Sequence, residues 1–189
     1  VYMILTAFRD FRDNFSAELW QALGFGDSPA IFTLSEIPIA LTILIMLSLI
    51  MFVKDNRQAL FINSFFIFLG LLLVLISTLL LQSGAMGGQY WMVLVGLGLY
   101  MGYVPFNSIF FDRMIAAFRH SANTGFLIYL ADSMGYLGSI VILIYKNFAQ
   151  RDLPWLSFAT TGAYILSFGG MLFMILAMIS MHLLLAKHQ

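Results

Sequence analysis

The chain has 189 residues, 61% of them hydrophobic and 10% charged, with a mean hydropathy of +0.94 and a formal net charge of zero. A soluble domain carries roughly 25% charged residues, so this composition excludes one, and the balanced charge excludes a polybasic surface for nucleic acid. There is no cysteine, which removes disulfides, thiolate nucleophiles and cysteine-ligated metals.

About 20 mostly apolar residues cross the hydrocarbon core as a helix. Six such segments are expected, giving an all-α membrane protein with six transmembrane helices in a single domain. The first covers about 1–23 and contains a polar patch; GFGDSP (24–29) follows as a loop. The second covers about 31–53 and ends at the charged turn 54–58. The third, about 59–81, has no charge, and an uncharged loop (82–89) leads to the fourth, about 90–112. A basic connection (113–123) precedes the fifth, about 124–145, and the sixth lies within 155–186. The first residue is Val1 and no charged region precedes the apolar run, so the start does not read as a signal peptide. The expectation is a fragment or a processed chain whose first helix continues upstream. Trp20, Tyr90, Trp91 and Trp155 suit an interfacial aromatic belt.

Basic residues in alternate loops set the orientation. Lys54, Arg57, Arg113, Arg119 and Lys187 fall on one side, and Lys146 and Arg151 on the other. This places both termini in the cytoplasm of a plasma or inner membrane. Asp112, Arg113, Arg119 and His120 are expected in a loop as topology anchors.

Segment one packs Arg9, Asp10, Arg12 and Asp13 into a single stretch. A charge at the bilayer centre costs at least about 2.5 kcal/mol, so these groups persist only if paired, wetted or near the surface. Arg9 and Asp13 are four apart and share a helical face. Arg9 and Arg12 are spaced to hold an anionic group together, and Asp10 and Asn14 stack on the adjoining face. Two readings stand. In one the patch is a cavity wall, where the arginines attract an anionic substrate and Asp10 or Asp13 pairs with them or carries a proton. In the other it is an interfacial ladder of solvated salt bridges.

Glu36, just before Pro38, reads as a first-turn acid suited to the helix dipole or as a proton-coupling carboxylate. Asp132 interrupts an apolar segment, which points to function. Tyr136, four residues on, is placed to hydrogen-bond it; the alternative is a structural pair with Arg9, Arg12 or a basic loop residue. Ala131, Gly135 and Ser139 form a small-residue stripe, and Gly98 and Gly102 another, both read as helix packing. Pro105 lacks an amide donor and should kink segment four. Tyr103, Asn107 and Ser108 then line a cavity or a bend satisfied by a neighbouring helix. The candidate cavity residues are therefore Arg9, Arg12, Asn14, Tyr103 and Asn107. The candidate proton-coupling or ion-pair residues are Asp10, Asp13, Glu36, Asp132 and Tyr136.

Sorted by polarity, the segments repeat with a period of three. The first and fourth are the most polar or irregular, the second and fifth carry one acid each, and the third and sixth are the most apolar. A three-helix unit used twice must enter the membrane from opposite sides, and inverted repeats mark secondary transporters. DSMGYLGS (132–139), the short turn 54–58, and RDFRDNF (9–15) followed by SEIP (35–38) carry a family likeness. Over its whole length the chain resembles the carboxyl-terminal six-helix half of a major facilitator superfamily transporter, of an uncharacterised branch. The 54–58 turn lacks that family's full glycine-and-arginine signature. The resemblance implies two inverted three-helix units, with the first helix of each lining the cavity, the second between halves and the third facing lipid.

The expected function is secondary active transport of a small solute, an organic anion on the strength of Arg9 and Arg12, with proton coupling. The partners are the lipid bilayer, the solute, and an amino-terminal six-helix half of the same chain or a second copy. No cofactor is implied. G-x-S-x-G, H-E-x-x-H and Walker motifs are absent from the sequence, which argues against an enzyme. The other readings are a non-catalytic membrane subunit or scaffold, and an intramembrane hydrolase using Ser83 and His182.

Overall fold

A computed structural model describes residues 1–27, 29–119, 121–149 and 154–187. Their regular structure is helical throughout: α1 (Tyr2–Asn14), α2 (Ser16–Ala22), α3 (Ala30–Met51), α4 (Asn56–Gln82), α5 (Gly88–Pro105), α6 (Phe111–Phe118), α7 (Thr124–Ile144) and α8 (Trp155–Lys187). π-helical turns at Phe106–Phe110 and Tyr145–Ala149 extend α5 and α7. Five helical runs are long and apolar enough to cross a membrane: Ala30–Met51, Asn56–Gln82, Gly88–Phe118, Thr124–Phe148 and Trp155–Ala186. They correspond to expected segments two to six and make this a membrane protein.

The first expected segment is not one apolar span. It divides at Phe15, whose φ of −114° and ψ of 25° leave the helical region. Hydrogen bonds still bridge the break, from the Phe15 amide to the Phe11 carbonyl (3.1 Å) and from the Leu19 amide to the Phe15 carbonyl (3.0 Å). Ser16 Oγ also donates to the Asp13 carbonyl (3.1 Å). The helix is interrupted rather than ended. Leu5, Phe8 and Phe11 of α1 join Leu19 and Trp20 of α2 in the main core.

α1 packs chiefly on α7 and also touches α5 and α8; α5 packs on α4 and α3, and α4 packs on α8. α1 and α2 run antiparallel to α5, with Leu23 against Gly88, Arg12 against Gly96 and Leu5 against Gly102. Trp20 and Trp91 do not sit in an exposed belt. Both are buried, and Trp91 Nε1 donates to Thr78 Oγ1 at 3.1 Å. A ring that large, once its N–H finds a partner, gains more from the core than from the interface.

Segment four is longer than expected. Pro105 withholds one amide from the hydrogen-bond ladder, and the chain continues through the π-helical turn into α6 instead of stopping. Asp112 and Arg113 are therefore helical, not loop residues. Thr124 Oγ1 donates to Asp112 Oδ1 (2.6 Å), and Arg113 Nη1 donates to Asn56 Oδ1 (2.7 Å). These bonds gather the ends of α4, α6 and α7 on one side of the bundle, beside Lys54 and Arg57. Arg119 closes α6 in the left-handed region, with φ of 54°. Pro38 likewise lies in the interior of α3, so Glu36 is not in its first turn. His120, Arg151 and His188 lie outside the described residues.

Candidate functional site

The side chains that composition makes most costly in lipid meet along α1. Arg12 is the most enclosed, with its side chain 3% exposed. It donates to Glu36 Oε1 (2.7 Å), Asp13 Oδ1 (3.0 Å) and the Met92 carbonyl (3.3 Å). One guanidinium thus joins α1 to α3 and α5, using the fan of donors that only arginine offers. Gly96 makes the space: a Cβ there would lie 2.6 Å from Arg12 Nη2. The second Asp13 oxygen accepts from the Tyr100 hydroxyl at 2.8 Å.

Arg9 pairs with Asp10 and lies over the Tyr103 ring, 3.9 Å from its centroid, a cation–π contact. Asp10 Oδ2 also accepts from Ser139 Oγ of α7 (2.6 Å). The Tyr2 hydroxyl donates to Asp132 Oδ1, and its ring stacks on Tyr103 at 5.5 Å. Asn107 Nδ2 donates to the Tyr103 hydroxyl at 2.9 Å. Four helices, α3, α5, α1 and α7, are thereby connected by polar side chains.

Along the neighbouring helices α5 and α7, these groups lie well inside the ends. Arg12 faces Gly96, about 12 Å along α5 from Gly88, and Asp132 stands about 12 Å into α7 from Thr124, at 1.5 Å per residue. Asp13 and Glu36 keep an open edge, with side chains 37% and 46% exposed.

Several expected pairings are different in the structure. Arg9 does not pair with Asp13; each arginine takes the acid next to it, because the other oxygens of Asp10 and Asp13 are claimed by Ser139 and Tyr100. Arg9 and Arg12 do not form a joint anion clamp, since one turns to Tyr103 and the other to Glu36. Asp132 bonds Tyr2 and not Tyr136, which is 58% exposed. Asn14 lies exposed at the end of α1, outside these bonds. The cluster unites Arg9, Asp10, Arg12, Asp13, Glu36, Tyr103, Asn107 and Asp132. Tyr2, Tyr100 and Gly96 belong to it without having been singled out from the sequence.

The model of a family of unknown function, DUF5690, matches residues 1–183, which take in every member of this cluster. The chain belongs to the DUF5690 family. Comparison with curated proteins and with solved structures gives no match.

In this DUF5690 chain small residues set the spacing that the cluster needs. A Cβ at Gly135 would lie 2.9 Å from Thr6 Cγ2, and one at Gly138 would lie 3.1 Å from the Met3 carbonyl. The Ala131–Gly135–Ser139 stripe therefore faces α1, which brings Ser139 to Asp10. An apolar cleft of about 360 Å³ between α1, α7 and α8 is lined by Ile4, Phe8, Ile142 and Gly162 and by none of the charged residues of the cluster. Among the described residues no three His, Asp or Glu side chains are grouped to hold a metal. Ser83 donates to the Leu80 carbonyl at one end of α4, whereas His182 lies against Phe61 near the other. That separation, roughly 33 Å at 1.5 Å per residue, rules out a serine–histidine pair from these two residues.

Proposed function

We propose that this DUF5690 chain is half of a secondary active transporter that moves a small solute by alternating access, coupled to protons. The observation that carries the reading is the polar cluster, held well inside apolar helices yet open on the Asp13–Glu36 edge. Charge at such depth is costly unless water or a solute reaches it, and intramembrane charge of this kind marks a solute path.

Helix packing supports an inverted repeat. Take α1–α2, α3 and α4 as one unit, and α5–α6, α7 and α8 as the other. Exchanging the units turns the α1–α7 contact into α5–α3 and the α1–α8 contact into α5–α4; α1–α5 and α4–α8 map onto themselves. The first helix of each unit is also interrupted, at Phe15 and after Pro105, as in discontinuous helices that line transporter sites. On this reading α1–α2 is a sixth crossing and the Lys54–Arg113 side is cytoplasmic, as are both termini. The exposed faces of α3 and α7 meet a second six-helix half or a second copy.

The 189 residues contain no cysteine, so single cysteines report without background. Cysteines replacing Asn14, Ser108 and Tyr136, all exposed, are expected to react with a membrane-impermeant maleimide. Asn14 and Ser108 should become reactive from opposite sides of the membrane and in opposite conditions of solute or pH gradient. A cysteine replacing Leu172, which is 58% exposed on α8, should stay inert in lipid. If Ser108→Cys and Tyr136→Cys are as inert as Leu172→Cys, the cluster has no aqueous path and the proposal fails.

A further inference from the structure

We propose that the apolar cleft between α1, α7 and α8 is a binding site for one glycerophospholipid, held by an acyl chain and its ester group. The site is separate from the polar cluster and does not depend on transport. The cleft holds about 360 Å³, within the range of roughly 300–1,000 Å³ usual for small-molecule sites. Its α8 wall runs from Ser157 through Thr161 and Gly162 to Ile165 and Leu166, opposite Ile4 and Phe8 of α1. Gly162 brings the Phe8 ring up to α8, where a Cβ would lie 2.5 Å from Phe8 Cε2. A second apolar cleft of about 290 Å³, between α1 and α7, shares Ile4 and Ile142 with the first. The two adjoin, which gives room for both chains of one lipid.

The depth of the cleft matches one leaflet. The α8 run Trp155–Ala186 has 32 residues, roughly 48 Å at 1.5 Å per residue. That exceeds the hydrocarbon core of about 30 Å and reaches into the headgroup layers on both sides. Ser157, in the first turn of α8, therefore stands at headgroup level, and Thr161 stands near the hydrocarbon boundary. Ile165 follows about 12 Å beyond Ser157, close to the roughly 15 Å of one leaflet's hydrocarbon. Ile165 is 67% exposed, so the rim of the cleft faces lipid. Helices in a bilayer associate through packing contacts, and an unfilled apolar cleft forgoes them.

The mouth of the cleft carries hydroxyls without partners. In the other long helices Thr42, Ser48, Thr78 and Ser133 each donate to the carbonyl four residues earlier, the usual way to satisfy a hydroxyl within a helix. Thr161 does not. The Ser157 carbonyl that it would use accepts from Thr160 Oγ1 at 3.2 Å. Among the described residues neither Ser157 Oγ nor Thr161 Oγ1 makes a hydrogen bond. The two are four apart, share a face of α8 and both line the cleft. A hydroxyl without a partner can donate to a ligand acceptor, and the ester carbonyls of a glycerophospholipid lie at this depth, directly above its apolar chains. A fatty acid would fill one cleft and leave the other empty.

The test is native mass spectrometry of the full chain in dodecyl maltoside with palmitoyl-oleoyl phosphatidylcholine, lysophosphatidylcholine or palmitate added. One phosphatidylcholine is expected to stay bound at collision energies that strip further copies, lysophosphatidylcholine and palmitate. Thr161→Trp, at an exposed position, fills the cleft and should lower that occupancy about tenfold or more. Ser157→Ala combined with Thr161→Val keeps the cleft open and removes both donors, for a loss of roughly two- to tenfold; it carries the test if Thr161→Trp does not fold. Leu172→Trp, 58% exposed elsewhere on α8, should bind as the parent does. The proposal is overturned by any of four results: no lipid that outlasts the rest, palmitate held as firmly, undiminished retention in either folded cleft variant, or an equal loss in Leu172→Trp. No flux is measured, so failure here leaves the transport reading intact, and failure of that reading leaves the lipid site.

Discussion

Gly96→Ala is expected to lower stability by about 3 kcal/mol, although the glycine carries no functional group. Its new Cβ would lie 2.6 Å from Arg12 Nη2, 2.7 Å from Arg12 Cζ and 2.7 Å from Ile39 Cδ1. Overpacking of a filled site costs about 1–3 kcal/mol. Here the displaced group is a guanidinium with little exposure and three hydrogen-bonded partners. Glu36 and Asp13 are part-exposed and rehydrate when it leaves, so the broken ion pairs themselves add only about 1 kcal/mol. Arg12→Met in the same background keeps an apolar stem and removes the head that the methyl group strikes. The two substitutions should therefore be non-additive by at least about 1 kcal/mol in a double-mutant cycle. Denaturant midpoints of the four proteins in detergent measure this, and strict additivity would show that Gly96 and Arg12 do not touch.

Gly98→Val should be at least as damaging, by about 3 kcal/mol or more, for a different reason. A Cβ on Gly98 would lie 2.5 Å from the Gly70 carbonyl oxygen and 2.7 Å from Val74 Cγ2. A backbone oxygen in a helix cannot turn aside, so α4 and α5 must separate along their length. Close approach through small residues is a main source of helix association in lipid, where no hydrophobic force draws helices together. Gly102→Ala provides the contrast. Its Cβ would meet Leu5 Cδ1 and Cδ2 at 2.9 Å, and a leucine end can change rotamer, so the expected cost is about 1 kcal/mol. Equal losses at positions 98 and 102 would contradict this picture of the interface.

Much of the architecture was legible because lipid imposes length and apolarity together. Segments two to six are read from runs such as 59–81, and the helices found, Asn56–Gln82 among them, differ from expectation mainly at their ends. The interruption at Phe15 was not legible: no proline or glycine marks it, and the polar patch around it suits either a cavity or a surface. The cluster was half legible. Charges within an apolar chain announce themselves, so Arg9, Arg12, Glu36 and Asp132 were found by composition alone. Their partners were not, because Tyr2 and Asp132 are 130 positions apart and Arg12 and Glu36 are 24 apart. Local spacing favoured Tyr136 for Asp132, where the tertiary contact with Tyr2 took precedence, and Asp13 for Arg9, which pairs instead with its neighbour Asp10. Gly96 carried no signal that separates it from Gly98, although one accommodates a guanidinium and the other a backbone.

The distances in sequence between α1 and the groups that satisfy it bear on how the protein is made. Ser139 and Asp132 are translated long after Asp10 and Tyr2, with separations of 129 and 130 residues. When the first segment leaves the ribosome, most of its polar partners, Tyr100, Tyr103, Asp132 and Ser139 among them, have not yet been synthesised. Arg9–Asp10 and Arg12–Asp13 pair within the segment, but charged groups short of their hydrogen-bond partners still oppose partition into the bilayer, where a charge costs about 2.5 kcal/mol or more. On the transporter reading, the α1–α2 stretch is expected to wait at the insertion machinery until the chain beyond Thr124 arrives to receive it. Synthesis halted before α7 is expected to leave α1 without its Asp132 and Ser139 contacts.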